Sequence, residues 1–275
     1  MNKPSLSVVF ITKNEEFHIG NAIDNVKDIA EEIFVVDSGS TDKTVEIAES
    51  KGAKVQFHAF EGFGKQWNWA LDNCPIKTAW TMKMDPDERV SEELRDEIIN
   101  VCTSASGYDA YQVAWQIFFM GKPVKTRSHF FTRLWKTGCG RFSDVLVNEH
   151  FITKGREGRL SGKLNHLDTK DLTSWVEKQN RYTYQEALMR FRGDRRSAKA
   201  NLFGNALERR MFLGSLFYKL PFRYFLIFWY YFLCTGAWRS GMDGWHWAQM
   251  RVFVLRLIEY KWLEMKTLQS PGEGV

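Results

Sequence analysis

Cysteine is scarce in this 275-residue chain, and none of its four copies (Cys74, Cys102, Cys139, Cys234) forms a C-x-x-C pair. That spacing argues against a disulfide scaffold and against a structural zinc site, and it fits a reducing cytosol. Proline is rare, with six copies, and the twenty glycines belong to no repeat, which excludes a collagen-like or linker-dominated chain. No apolar run reaches membrane-spanning length. The longest uncharged stretch, Tyr224–Trp238 between Arg223 and Arg239, has fifteen residues, against the ~20 that a spanning helix needs. The opening MNKPSLSVVF enters an apolar run without the long core and small-residue cleavage site of a signal peptide. What is plentiful is core-forming material: 44% of residues are hydrophobic and 26% charged, a balance that disfavours disorder.

The net charge of +5 is unevenly spread. Residues 1–170 carry 22 Lys and Arg against 24 Asp and Glu, whereas residues 171–275 carry 16 against 9 and hold 22 of the 41 aromatic residues. Basic charge mixed with Trp and Tyr suits an anionic, partly apolar surface, and so a membrane interface rather than nucleic acid.

The first hundred residues alternate between two periods. Leu6–Ile11, Ile33–Val36, Lys54–Phe57 and Ala79–Met84 are short, nearly continuous apolar runs of the kind that form strands in a parallel sheet. Between them the spacing predicts helices: one with Thr12 and Glu15 as a capping box and Ile19, Ala22, Ile23 and Val26 inward, one with Val45 and Ala48 inward and Gly52 as its stop, and one from Gly62 through Trp67, Ala70 and Leu71. Ser91 caps a fourth, with Leu94, Ile98 and Val101 on one face. The expected fold class is α/β, a doubly wound sheet. From Ala110 the rhythm changes to strand-like stretches (Ala110–Met120, Phe130–Trp135, Arg141-Phe142, Val145–Phe151, Gly158–His166), an antiparallel half. From Asp171 it is helical, with Trp175–Arg192, Ser197–Arg210, Leu213–Trp238 and Trp245–Lys266 as segments.

In an open parallel sheet, ligands bind beyond the carboxyl ends of the strands. Asp37 and Asp85 fall at the ends of strands two and four and should share one crevice. Asp85-Pro86-Asp87 puts two carboxylates on one turn, either to hold a divalent cation shared with substrate phosphates or as a solvated turn before the Ser91 cap. The first strand is followed by Thr12-Lys13-Asn14-Glu15, with no G-x-G-x-x-G, and a P-loop is also missing. A bound nucleotide would then be held by side chains and a metal rather than by a glycine cradle.

Three ordered motifs, Ser7–Glu16 (SVVFITKNEE), Ile33–Thr44 (IFVVDSGSTDKT) and Met84–Glu88 (MDPDE), resemble those of the inverting glycosyltransferases of family 2, which have the GT-A fold. The likeness continues through Phe60–Gln66, Arg133-Leu134, Gly140–Phe142, Asn148-Glu149 and Leu164–His166, with an echo at Gly241–Gly244. That longer pattern is similar to the subgroup that adds a hexose to the inner core of lipopolysaccharide, often a β-1,4-glucosyltransferase. It departs from the subgroup at Pro86, where Ala is common, and at Asn148, where His usually precedes the Glu.

The resemblance implies a GT-A domain over residues 1–170, with a nucleotide-sugar-binding half at 1–109 and an acceptor-binding half at 110–170, and a helical, membrane-associated extension over 171–275. It implies that Thr12, Asn14, Glu15 and Asp37 form the nucleotide pocket, with Asp37 accepting from a uracil ring. Asp85 then faces ribose or diphosphate, Asp87 faces a Mg²⁺ or Mn²⁺ ion, and Gln66 and Asn68 lie near the donor. Glu149 is the expected general base. His166 either ligates the metal or packs beneath the donor, and Arg133 and Arg141 either contact phosphate or acceptor or form ordinary ion pairs.

The expected partners are a nucleotide-sugar donor, a lipid-linked saccharide acceptor and a membrane surface, at the cytoplasmic face of an inner membrane. Tyr224–Trp238 would lie in the interface, with Phe225, Trp229 and Phe232 facing lipid, or else serve as a core or dimer element. Two other classes are weighed beside this one. A sugar-phosphate nucleotidyltransferase would need a glycine-rich basic loop near the first strand, and a non-catalytic membrane module would leave Asp37, Asp85, Asp87 and Glu149 without purpose.

Overall fold

The computed structural model describes residues 3–105, 107–144, 149–167, 171–192, 201, 203 and 220–269. It divides into two compact units, Met1–Phe118 with Ser128–Asp168, and Phe119–Arg127 with Thr169–Val275. The segment Phe119–Arg127, which the sequence reading leaves in the acceptor half, clusters with the C-terminal unit.

The first unit is built on β1 (Leu6–Thr12), β2 (Glu32–Asp37), β3 (Lys54–Phe57) and β4 (Trp80–Met84), paired in parallel in the order β3-β2-β1-β4. Every residue of β1 is buried, as a strand covered on both faces must be. Alternate residues feed two cores. Leu6, Val8 and Phe10 pack with Met82, Met84 and the inner faces of α1 (Ile19–Val26), α2 (Thr44–Ser50) and α4 (Glu92–Thr103). Val9 and Ile11 pack with Phe34, Val36, Trp135 and the Trp67–Ala70 face of α3 (Phe63–Asn73). The sheet is thus doubly wound, as the alternation of patterns implies.

Beyond β4 the sheet continues through β8 (Phe130–Lys136), β6 (Ala110–Phe119), β11 (Glu157–His166) and β5 (Glu88–Val90). The β4–β8 and β8–β6 pairs are antiparallel, but β6 and β11 run parallel. A separate ribbon pairs β9 (Gly140–Phe142) with β10 (Phe151–Thr153).

Three local readings meet the structure with different outcomes. Ser91 Oγ accepts from Leu94 N at 3.2 Å, so that cap forms. The capping box at Thr12 does not: Thr12 closes β1, and α1 begins only at Ile19, with no side-chain cap. The strand expected over Val145–Phe151 begins at Phe151, and residues 145–148 lie outside the described residues.

In the second unit, β7 (Lys122–Val124) precedes α5 (Leu172–Arg192), α6 (Arg223–Trp229) and α7 (Gly241–Gln269). Lys261 Nζ on α7 donates to Asn180 O at 2.6 Å and to Thr183 Oγ1 at 2.9 Å on α5. Arg223 and Tyr224 both bond Glu259, which fastens α6 to α7. The long helix expected over Leu213–Trp238 is broken. Its described part is α6, a π-helical turn at Tyr230–Cys234, and a 3₁₀ turn at Ala237–Ser240 entered through Gly236 at φ +88°. Gly244 explains its own presence, since a Cβ there would lie 1.9 Å from the Ala237 carbonyl oxygen. The segment Ser197–Arg210 falls outside the described residues except for 201 and 203.

Candidate active site

The loops leaving β1 and β2 are laced together by side chains. Thr12 Oγ1 donates to Asp37 Oδ1 at 3.2 Å, as does Ser40 Oγ at 2.5 Å, while the N–H groups of Gly39 and Ser40 reach Asp37 Oδ2 at 2.8 Å each. A carboxylate offers about four acceptor positions, and Asp37, only 4% exposed, has four donors on it. It is the post around which Ser38–Thr41 winds, and Gly39 supplies the positive φ (+84°) the turn requires.

Asn14, itself left-handed at φ +56°, accepts from Thr41 N at 2.8 Å through its side chain and donates its own N–H to Ser40 Oγ at 2.8 Å. Glu15 N bonds Thr44 Oγ1 at 2.7 Å, and Glu16 N bonds Asp42 Oδ2 at 3.1 Å. Burial opposes the charge on Asp42, yet the hydroxyl and N–H of Thr44 and the Glu16 N–H hold its carboxyl below the usual range. Gln66, fully buried on α3, donates to Ser38 Oγ at 3.0 Å and to the His58 carbonyl at 3.2 Å. Its Oε1 accepts at 2.7 Å from His58 Nδ1, which fixes the proton of that ring on Nδ1. The motif residues Thr12, Asn14, Glu15, Asp37 and Gln66 therefore meet in one hydrogen-bonded rim.

The second cluster depends on β5, which sequence patterning missed. Glu88–Val90 pairs antiparallel with Leu164–His166, setting His166 opposite Glu88, and Leu167 N donates to the Asp87 carbonyl at 2.7 Å. His166 Nε2 then lies 3.4 Å from Asp87 Oδ2, and its ring stacks on Trp115 at 5.0 Å. Arg133, 3% exposed, reaches Asp85 Oδ2 at 3.2 Å and Glu88 Oε1 at 2.7 Å through one nitrogen, Nη2. Glu88 is wholly buried and also accepts from Trp115 Nε1 at 2.5 Å and from Asp85 N at 2.9 Å. Burial pushes its carboxyl up to about 7; Asp85 and Asp87 add to that shift, and Arg133 opposes it. Burial alone would lower the Arg133 guanidinium, but Glu88 and Asp85 outweigh it and raise it.

Among the described residues no group of three or more His, Cys, Asp and Glu side chains could hold a metal ion. Asp87 and His166 form a pair, a donor set that fits a divalent cation completing its shell with substrate oxygens and water.

Glu149, just before β10, is 11% exposed and ion-paired with Lys83 of β4. Asn68 has its side-chain amide engaged on β9. It brackets Phe142, donating to its carbonyl and accepting from its N–H, both at 2.9 Å. Arg141 is drawn elsewhere: it forms a two-point, exposed ion pair with Asp72 at 2.8 and 2.6 Å. Glu88, Trp115 and Lys83 are the polar and aromatic members that sequence reasoning passed over. Lys83 was detectable, as a lone charge inside the apolar run Trp80–Met84.

A model of the family described as "Glycosyl transferase family 2" matches residues 7–160. The chain belongs to glycosyl transferase family 2. Among family relatives, an uncharacterized glycosyltransferase of Rickettsia bellii (strain RML369-C) is 35% identical over 199 residues, and the match covers 66% of each chain. The lipopolysaccharide core biosynthesis glycosyltransferase LpsC of Rhizobium meliloti (strain 1021) is 27% identical over 252 residues, covering 88% of this chain and 86% of LpsC. The mannosyltransferase PcManGT of Pyrobaculum calidifontis, solved with GDP-Man and Mn²⁺, superposes with a TM-score of 0.51 at 16% identity, covering 96% of this chain and 88% of that one. The family 2 assignment and this structural likeness agree on the GT-A fold.

Proposed function

We propose that this family 2 glycosyltransferase inverts the anomeric centre of a hexose as it moves the sugar from a nucleotide donor, UDP-linked by resemblance, to a lipopolysaccharide core or related lipid-linked glycan. The observation that carries the reading is the convergence of Asp85, Asp87 and His166 beside the rim held by Asp37 at the carboxyl ends of β2 and β4. The rim residues Thr12, Asn14 and Glu15 shape the nucleotide pocket, and Asp37 and Gln66 hold that shape. Asp87 and His166 would hold Mg²⁺ or Mn²⁺, and an imidazole in the set favours Mn²⁺. When bound, the cation stabilises the charge of the departing diphosphate. Arg133, tethered to Asp85, sets the direction of that carboxylate toward ribose or diphosphate.

Glu149 takes the proton of the acceptor hydroxyl, with one carboxylate oxygen held by Lys83. Glu149→Gln keeps the size of the side chain but cannot accept that proton, so turnover should drop by about 10²–10⁴-fold, the usual worth of a general base. Calorimetry with donor nucleotide and Mn²⁺ should show unchanged affinity. Collapsed donor affinity with retained turnover would make Glu149 a binding residue instead.

The second unit supports residence at the cytoplasmic face of an inner membrane. No helix among the described residues is long and apolar enough to cross a membrane. Phe222, Phe225, Leu226, Tyr230 and Leu233 are nevertheless exposed along α6 and the turn after it, within the basic tail. Of the three residues expected to face lipid, only Phe225 is exposed. Trp229 and Phe232 are partly buried and pack with Phe228 and Trp245. Replacing Phe222, Phe225, Leu226 and Leu233 with Ser should therefore release the protein from anionic membranes. Activity on lipid-linked acceptor should fall more than donor hydrolysis does. High salt should weaken the attachment of the unaltered protein without abolishing it, because salt screens the electrostatic part alone. Sedimentation with membranes checks this. A wholly soluble wild-type chain at low salt, or a variant that stays bound, would make the stripe a contact between protein surfaces.

A further inference from the structure

Lys83 stands out because a strand buried on both faces rarely carries a charge. Its neighbours Met82 and Met84 are fully buried in one core, and the Lys83 side chain points to the opposite face with only 7% of the residue exposed. There its ammonium sits 4.5 Å from the centre of the Trp67 ring and 5.1 Å from that of Phe142. Both rings are fixed: Trp67 is 1% exposed within α3, and Phe142 is clamped through its backbone by Asn68. Aromatic faces attract a cation, more strongly when water is excluded, but they do not replace a counter-ion. Among the described residues, the one carboxylate bonded to Lys83 is that of Glu149, through Oε1. Glu149 stands at the mouth of the loop between β9 and β10, where Ser143 N donates to the His150 carbonyl at 2.8 Å and His150 N donates to Ser143 Oγ at 3.0 Å. That pairing limits the backbone, and Lys83 limits the side chain.

We propose that Lys83 is a positioning residue for transfer. Clamped by Trp67 and Phe142, it holds Oε1 of Glu149 so that Oε2 is the oxygen presented to the acceptor hydroxyl. The inference rests on the reading of Glu149 as the base. It gives the aromatic box a purpose beyond packing, since a base is most effective when its carboxylate is already aimed at the proton it removes. In the reaction, Oε2 accepts the hydroxyl proton as the acceptor oxygen bonds to the anomeric carbon and the diphosphate leaves with the electrons of the broken C–O bond. The ammonium of Lys83 keeps its own protons throughout.

Full-length Lys83→Met, Lys83→Gln and Lys83→Arg, made alone and in combination with Glu149→Gln, test the assignment. The expected result for the neutral variants is a kcat loss of about 10–100-fold, the range seen when a partner that orients a site ligand is removed. The donor KM should be unchanged, and the arginine variant should recover most of the loss. In the Glu149→Gln background the neutral substitutions should lower kcat no further, because there is no carboxylate left to aim. Should Lys83→Met fail to fold, Lys83→Gln, which keeps a polar end but is uncharged and one atom too short to take the place of the ammonium on Glu149, carries the comparison. Wild-type kcat in a folded neutral variant, arginine no better than glutamine, or a full additional loss in the Glu149→Gln background would each overturn the proposal. A fully active Glu149→Gln overturns the base reading and this one together. A slow Glu149→Gln beside a wild-type-like Lys83→Met overturns this one alone.

Discussion

Asp87→Ala should abolish metal-dependent sugar transfer while the protein stays folded. The carboxylate lies on a turn outside both hydrophobic cores, so its removal opens no core cavity. The hydrogen bond from Leu167 N goes to the Asp87 backbone carbonyl and survives the change. Removing a negative charge from beside Glu88 relieves part of the repulsion that raises that group, so thermal stability should be equal to that of the parent or slightly higher. His166→Ala should be milder, weakening the response to added Mn²⁺ without erasing it, because an imidazole is one of two protein donors and the diphosphate supplies others. Transfer assayed across a Mn²⁺ titration, with a parallel melting curve, measures both effects. Wild-type-like turnover by Asp87→Ala, equal with saturating Mn²⁺ and without it, would sink the metal assignment.

The parallel half of the fold was legible because its strands carry their burial in their own residues. A run such as Val8-Val9-Phe10-Ile11 has no solvent face, and only a sheet covered on both sides accommodates it. The inward faces of α1 and α4 followed from spacing for the same reason. The capping box at Thr12 failed because the same hydroxyl had a stronger tertiary use on Asp37, and local capping yields to such competition. β5 was hidden for a different reason: three residues, Glu88–Val90, give no period to read, and they become a strand only through pairing with β11. That unseen pairing is what delivers His166 to Asp87, so the acidic turn was readable in the sequence and its geometry was not. Arg141 shows the converse. Its motif position left a phosphate or acceptor contact and an ordinary ion pair both open, and only the fold brings Asp72 of α3 close enough to take the guanidinium at two points. Lys83 and Glu149 are far apart in sequence, and nothing in either segment alone announces the other.

Arg133→Met should be among the most destabilising single changes in the GT-A unit, and the loss should depend on pH. Arg133 is the cation bonded to both Glu88 and Asp85, and Glu88 is wholly buried. Taking the cation away leaves Glu88 facing the charges of Asp85 and Asp87 in a site that water does not reach, and breaking such a buried pair costs about 3–5 kcal/mol. The sign with pH follows from Glu88. Burial has already raised it to about 7 in the folded protein from an ordinary carboxyl value near 4.5. The stability it contributes is therefore complete below its unfolded value and is lost as pH rises through about 7. Without Arg133 the group is pushed further in the same direction. Urea denaturation at pH 5 and pH 8 should then show a small gap between Arg133→Met and the parent at the lower pH, where Glu88 carries its proton, and a large gap at the higher. Adding Glu88→Gln to Arg133→Met should close most of that gap at pH 8, because the buried charge is gone with its partner. A destabilisation equal at both pH values, and unrelieved by Glu88→Gln, would mean that Arg133 acts through its packing against Trp115, whose ring centre lies 5.3 Å from the guanidinium carbon, and not through the acidic turn.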